Sequence, residues 1–208
     1  MWTVKSGQDL TQLNYLNMYK NASISVIIYI VSQLILATIL TFPAFITLGG
    51  LLLVTIFAIV LLYGTQKPTL SKTQIKGVLF IFVLLIMAQI TGTFILQKLG
   101  IVLTNQESIS YIMKNHFMVA ATYSCILAPI IEELMFRKTV FETIKNPHIA
   151  TAVSALLFGF AHGFAILPTL IYGSIGLFLI WAYRKYGIEA SILLHMLNNI
   201  AAMLLMIL

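Results

Sequence analysis

Residues 131–138 read IEELMFRK, two adjacent glutamates and an arginine set into an apolar run that begins near Phe117. The run is long enough to cross a bilayer as a helix, and an ionisable side chain at the centre of such a helix costs on the order of 2.5–3.5 kcal/mol on insertion scales. A helix surrounded by lipid does not carry three of them. The stretch therefore predicts a helix enclosed by other helices, with a partner or a purpose for each charge.

The rest of the chain supplies those helices. Of 208 residues, 60% are hydrophobic and 9% charged, against about 45–50% and about 25% in soluble domains. Apolar runs of about twenty residues match the roughly 30 Å hydrocarbon thickness. They fall near 22–42, 43–63, 77–97, 117–136, 149–165, 167–183 and 189–208. The expected fold class is all-α, a polytopic transmembrane helical bundle of about seven spans. The fourth helix is expected to run on toward Ile144, where Asn146 and Pro147 stop it. The first 21 residues contain Asp9 and several amides but no apolar core or small-residue cleavage site. No removable signal is expected there, and the first span stays as an anchor.

Charge gives the orientation. Lys5 and Lys20 precede the first span, Lys67, Lys72 and Lys76 follow the second, Arg137, Lys138 and Lys145 follow the fourth, and Arg184 and Lys185 follow the sixth. The alternate loops hold only Lys98 and Lys114. The positive-inside rule then places the N terminus in the cytoplasm and the C terminus outside, in a cell membrane. The net charge of +6 reads as topology and as contact with anionic headgroups. No aromatic-basic surface pattern is present, so no nucleic-acid partner is expected. The single cysteine, Cys125, cannot form an intrachain disulfide and reads as structural filler. Asn105–His116, the longest outer connection, reads as a plain connector.

Polar side chains inside the spans fall in three short stretches: EELMFR at 132–137, FGFAH at 158–162 and HMLNN at 195–199. Glu133 and Arg137 are four apart with the acid N-terminal, the favourable order for an ion pair on one helix face. Glu132 points about 100° away from Glu133, so the arginine holds one carboxylate and leaves the other free. Phe158 and His162 are four apart, as are His195 and Asn199. The Gly159 and Gly163 spacing reads as a close helix contact. Buried ion pairs and interhelical hydrogen bonds account for each polar residue singly. One free carboxylate, two imidazoles and a carboxamide on three spans are more economically explained as one site.

That inventory suits peptide hydrolysis. A carboxylate and an imidazole can hold and deprotonate a water, while a second imidazole and a carboxamide can donate to the oxyanion of a tetrahedral intermediate. No nucleophile motif and no H-E-x-x-H zinc signature occurs, so direct attack by water is expected. Glu132, His162 and His195 are also donor types that zinc accepts, and the metal-assisted and metal-free forms stand as alternatives. Around His195, Asn198 and Asn199 both lie near its face, and spacing alone does not choose between them.

The three stretches resemble, in order, the E-E-x-x-x-R, F-x-x-x-H and H-x-x-x-(N/D) motifs of the CAAX-protease and bacteriocin-processing family of intramembrane proteases, also called Abi or CPBP proteins. The resemblance covers roughly residues 117–208, a protease core, and leaves 1–116 as N-terminal membrane helices outside the motif region of one integrated domain. It implies an endopeptidase acting on a membrane-associated peptide or protein, with Glu132 and His162 activating water. By the same likeness His195 and Asn199 form the oxyanion site, and Glu133, Arg137 and Phe158 support them. Relatives in that family act in peptide maturation and bacteriocin self-immunity, and the compact chain looks bacterial. Two other classes explain the polar cluster differently: a non-catalytic immunity or receptor-binding membrane protein, and a proton-coupled transporter.

Overall fold

Proline, glycine and a few side-chain caps divide the apolar sequence into helices. The computed structural model describes residues 7–40, 42–63, 69–98 and 114–207. Within them lie α1 (Gly7–Ala37), α2 (Ala44–Tyr63), α3 (Lys72–Lys98), α4 (Phe117–Thr143), α5 (Pro147–His162), α6 (Ile166–Tyr186) and α7 (Ile188–Ile207). No strand occurs among the described residues. The helical bundle expected from the sequence is what forms.

Local chemistry explains the boundaries. Pro43, at φ −53°, opens α2 after a short 3-10 turn at Thr38–Leu40, so the break expected at 42–43 starts earlier and α1 ends at Ala37. Ser71 and Gln74 form a reciprocal capping box at the start of α3, with N···O distances of 2.9 and 3.3 Å. Asn146 Oδ1 accepts from the His148 and Ile149 amides ahead of Pro147, which caps α5. Gly187 supplies the positive φ, 97°, that turns α6 directly into α7. Most of the Asn105–His116 connector lies outside the described residues.

Among the described residues, six helices are long and apolar enough to cross a membrane. The exception is α5, whose 16 residues span only about 24 Å at 1.5 Å per residue. The full span expected at 149–165 is therefore cut short at His162. This short helix lies against α6 at close range. A Cβ on Gly159 would sit 2.2 Å from the Thr169 carbonyl oxygen, and one on Gly163 would sit 2.8 Å from Pro168. The Gly159 and Gly163 spacing is thus the close helix contact read from the sequence.

Burial separates α4 from the rest. Phe80, Met87 and Ile90 on α3 and Phe45, Leu53 and Val60 on α2 are exposed, as helix faces solvated by lipid tails should be. By contrast α4 has the largest share of buried residues of the six spans. Phe136 packs with Phe158 of α5, Leu179 of α6, Leu194 of α7 and Val78, Ile81 and Leu85 of α3 in one cluster. The charged helix is solvated by protein, which removes most of the cost that opened the question.

One departure from a regular helix matters for the site. Tyr123–Leu127 and Leu134–Thr139 are π-helical, and they flank an α-helical segment at Ala128–Glu133. The Thr139 hydroxyl donates to Leu134 O, five residues back, at 2.9 Å. Wide turns of this kind are concentrated at functional sites. They bracket the two glutamates.

Candidate active site

Glu133 is fully buried and fully engaged. Its Oε2 lies 3.2 Å from Arg137 Nε, and its Oε1 accepts from His195 Nδ1 at 2.9 Å. The Ser191 hydroxyl reaches Glu133 Oε2 and also lies 2.9 Å from Leu179 O; with one proton it donates to one of them at a time. The arginine is held on three sides: by Glu133, by Gly176 O at 3.3 Å from Nη2, and by the face of Phe158 at 4.4 Å. The Arg137 Nε proton is poorly aligned for a hydrogen bond despite its distance from Glu133, and Nη1 is buried without an acceptor among the described residues. The contact is an ion pair, and neutralisation of charge is its main effect.

Glu132 differs from its neighbour in every respect but burial. It makes no hydrogen bond among the described residues; instead its Oε2 faces His195 Nε2 at 3.8 Å and His162 Nε2 at 3.9 Å. Each imidazole is tied by its other nitrogen. His162 Nδ1 lies 2.8 Å from Phe158 O, and His195 Nδ1 lies 2.9 Å from Glu133 Oε1. Both partners are acceptors, so the hydrogen-bond network assigns the neutral rings as Nδ1–H tautomers with a lone pair at Nε2. Polar groups 3.8–3.9 Å apart are too distant to bond directly; a water within hydrogen-bond reach of both would sit beside the line that joins them.

Aromatic rings fix the frame. Phe158 lies 4.4 Å from the His162 ring, 5.5 Å from that of His195 and 5.7 Å from Phe136. Tyr172 of α6 also stacks on His162, at 4.6 Å with planes 21° apart. The structure thus gathers Glu132, Glu133, Arg137, Phe158, His162 and His195 at one point inside the bundle. Asn199 makes no hydrogen bond to that group and is anchored on α4: its Nδ2 donates to Ser124 O at 2.7 Å, and its Oδ1 is 3.4 Å from Asn198 Nδ2. One N–H of Asn199 is therefore committed, while the carboxamide has a second. Asn198 Oδ1 is buried and unpartnered among the described residues.

Sequence reasoning missed Ser191, Tyr172 and Gly176. Ser191 was within reach of it, since it lies four residues before His195 on the same helix face. The other two come from α6, which has no acidic, basic or imidazole side chain near the site and so gave no signal.

The donor set can be tested against zinc. Ligand distances of about 2.0–2.2 Å put neighbouring ligands of a tetrahedral ion about 3.3–3.6 Å apart. Here the Glu132 to imidazole separations are wider, and among the described residues no three His, Cys, Asp or Glu side chains form a group that could hold a metal ion. The side chains as placed are a few tenths of an ångström too far apart to ligate the ion.

Comparison with known proteins agrees with the motif region. A family model described as type II CAAX prenyl endopeptidase Rce1-like matches residues 114–201. Two Lactococcus lactis subsp. lactis (strain IL1403) proteins are similar over most of the chain. UPF0177 protein YxdF is 30% identical over 159 residues, covering 71% of this chain and 88% of its own length. UPF0177 protein YaiH is 31% identical over 160 residues, covering 73% and 68%. No solved structure is significantly similar. The family match takes in all three polar stretches, and the similarity to the lactococcal proteins extends beyond them; this chain belongs to the CAAX-protease and bacteriocin-processing family of intramembrane proteases.

Proposed function

We propose that the chain is an endopeptidase that cleaves a membrane-associated peptide or protein by direct attack of water held between Glu132 and the two imidazoles. The observation that carries this reading is the contrast between the glutamates: Glu133 is saturated, whereas Glu132 has no hydrogen bond among the described residues and faces two Nε2 atoms at 3.8 and 3.9 Å, beyond direct hydrogen-bond reach. A water there would donate one proton toward Glu132 and the other toward the His162 lone pair. As its oxygen attacks the scissile carbonyl, Glu132 takes the proton, and it later returns it to the departing amine. The oxyanion falls to His195 and Asn199. In neutral form His195 offers only a lone pair at Nε2; a second proton makes Nε2 a donor, with Glu133 beside Nδ1 to neutralise the imidazolium. Asn199 adds its uncommitted N–H.

The direct test is cleavage of acyl-tethered fluorogenic peptides by the purified chain in liposomes, with and without chelator. Turnover insensitive to chelator, with no stoichiometric metal by elemental analysis, is expected. One zinc per chain, with activity lost on its removal and regained on re-addition, would overturn the metal-free form.

The site is assigned to a bacterial cell membrane, an origin that the lactococcal relatives support, with the N terminus cytoplasmic and the C terminus external. The short α5 does not disturb this topology, because α5 and α6 pack as an antiparallel hairpin that begins after Arg137, Lys138 and Lys145 and ends at Arg184 and Lys185. A hairpin returns to the side it left, and α7 then crosses once more. A reporter fused to Leu208 should read external; cytoplasmic labelling would reverse the orientation.

A further inference from the structure

The first π-helical segment of α4 has a gap in its hydrogen-bond ladder, and Asn199 fills it. In a regular helix Ser124 O would accept from the amide of residue 128. That amide, on Ala128, bonds instead to Tyr123 O, five residues back. Continuing the wide register, Ser124 O would accept from residue 129, which is Pro129 and has no N–H. Neither ladder partner is left for Ser124 O. In an apolar bundle such a carbonyl must find another donor, and the donor is Asn199 Nδ2 at 2.7 Å.

We infer that Pro129 is a positioning residue for the site: by withholding its amide it turns Ser124 O into a socket that fixes the carboxamide of Asn199. The inference deepens the proposed function and rests on its reading of Asn199 as an oxyanion donor. A primary amide on one rotatable arm has two N–H groups whose directions are coupled. Holding one of them on a backbone carbonyl sets the direction of the other, with little left to reorganise when negative charge develops. Pro129 is itself buried, three residues before Glu132 and at the start of the α-helical segment that carries both glutamates. One residue therefore adjusts the backbone register beneath the carboxylates and the side-chain register of the facing helix.

The test uses the full chain in liposomes and a double-mutant cycle between Pro129→Ala and Asn199→Ala, read both by thermal stability and by turnover of an acyl-tethered fluorogenic peptide. Alanine at 129 restores an amide that Ser124 O can accept, and a carbonyl already satisfied gains less from a second donor. Asn199→Ala should then lower Tm by a few degrees in the native background and by much less in the Pro129→Ala background. Pro129→Ala alone should leave Tm unchanged or raised, since proline is poorly suited to a helix interior. Equal Tm losses from Asn199→Ala in both backgrounds would overturn the socket, and this arm does not depend on activity. In the turnover arm Pro129→Ala should lower kcat by about 10- to 100-fold, the scale of a small misplacement, with KM nearly constant. The double variant should be no slower than Asn199→Ala. If Asn199→Ala slows turnover and Pro129→Ala does not, the positioning role fails and the oxyanion reading stands. If Asn199→Ala keeps native kcat, the oxyanion reading fails, and the positioning role falls with it whatever the Tm cycle reports of the linkage.

Discussion

Glu132→Gln should give a folded protein whose kcat has dropped by about 10²–10⁴-fold, the range that a positioned general base supplies. The amide keeps the shape of the carboxylate but cannot take the proton of the attacking water. Stability should hold or rise. Glu132 makes no hydrogen bond among the described residues, so the substitution breaks none and removes a buried charge that no direct partner compensates. Loss of kcat with Tm retained is the signature that separates a reacting group from a structural one. Full turnover by Glu132→Gln in the tethered-peptide assay would remove Glu132 from the chemistry.

The different surroundings of the two glutamates were legible in the sequence because intramembrane charge is expensive enough to need an explanation. Four-residue spacing paired Glu133 with Arg137, and the helix angle turned Glu132 away; the structure has both features. His162 and His195 were legible for the same reason. What the sequence withheld depends on tertiary partners. Pro129 marks an irregularity in α4, yet the wide turn at Tyr123–Leu127 is tolerable only because Asn199 on another helix satisfies Ser124 O. No local pattern encodes that. Ser191 shares a helix face with His195, but that spacing alone does not single it out, since a serine in a membrane helix can satisfy itself on its own backbone, as Ser25 and Ser32 do on Ala22 O and Tyr29 O. Helix lengths were read from apolar runs, which continue past His162 although the α5 helix does not. Hydropathy sees the membrane and not the turn.

Glu133→Gln is expected to produce the largest loss of stability. Breaking a buried ion pair by removing one partner costs about 3–5 kcal/mol, and for a chain of this size about 2–4 °C of Tm accompanies each kcal/mol, so a drop of roughly 10 °C is the expected scale. The fully buried Arg137 would keep only Gly176 O and the Phe158 ring. The glutamine can make hydrogen bonds, but in neither orientation does it neutralise the arginine. With its oxygen toward His195 Nδ1, its NH2 group faces the arginine, donor against cation. With its oxygen toward Arg137, the NH2 faces His195 Nδ1 and forces the proton of that ring to Nε2, where it points at Glu132. Stability should therefore fall in either orientation, unlike in the Glu132 variant, because the charge of Arg137 is left uncompensated. The cause can be isolated by adding Arg137→Met, which removes the uncompensated cation while filling most of its volume. If the charge is what destabilises Glu133→Gln, the double variant should melt above the single one although it carries one more substitution. A double variant that melts lower would mean that Arg137 stabilises the bundle through its packing on Phe158 and Gly176, and that Glu133 serves chiefly to orient His195.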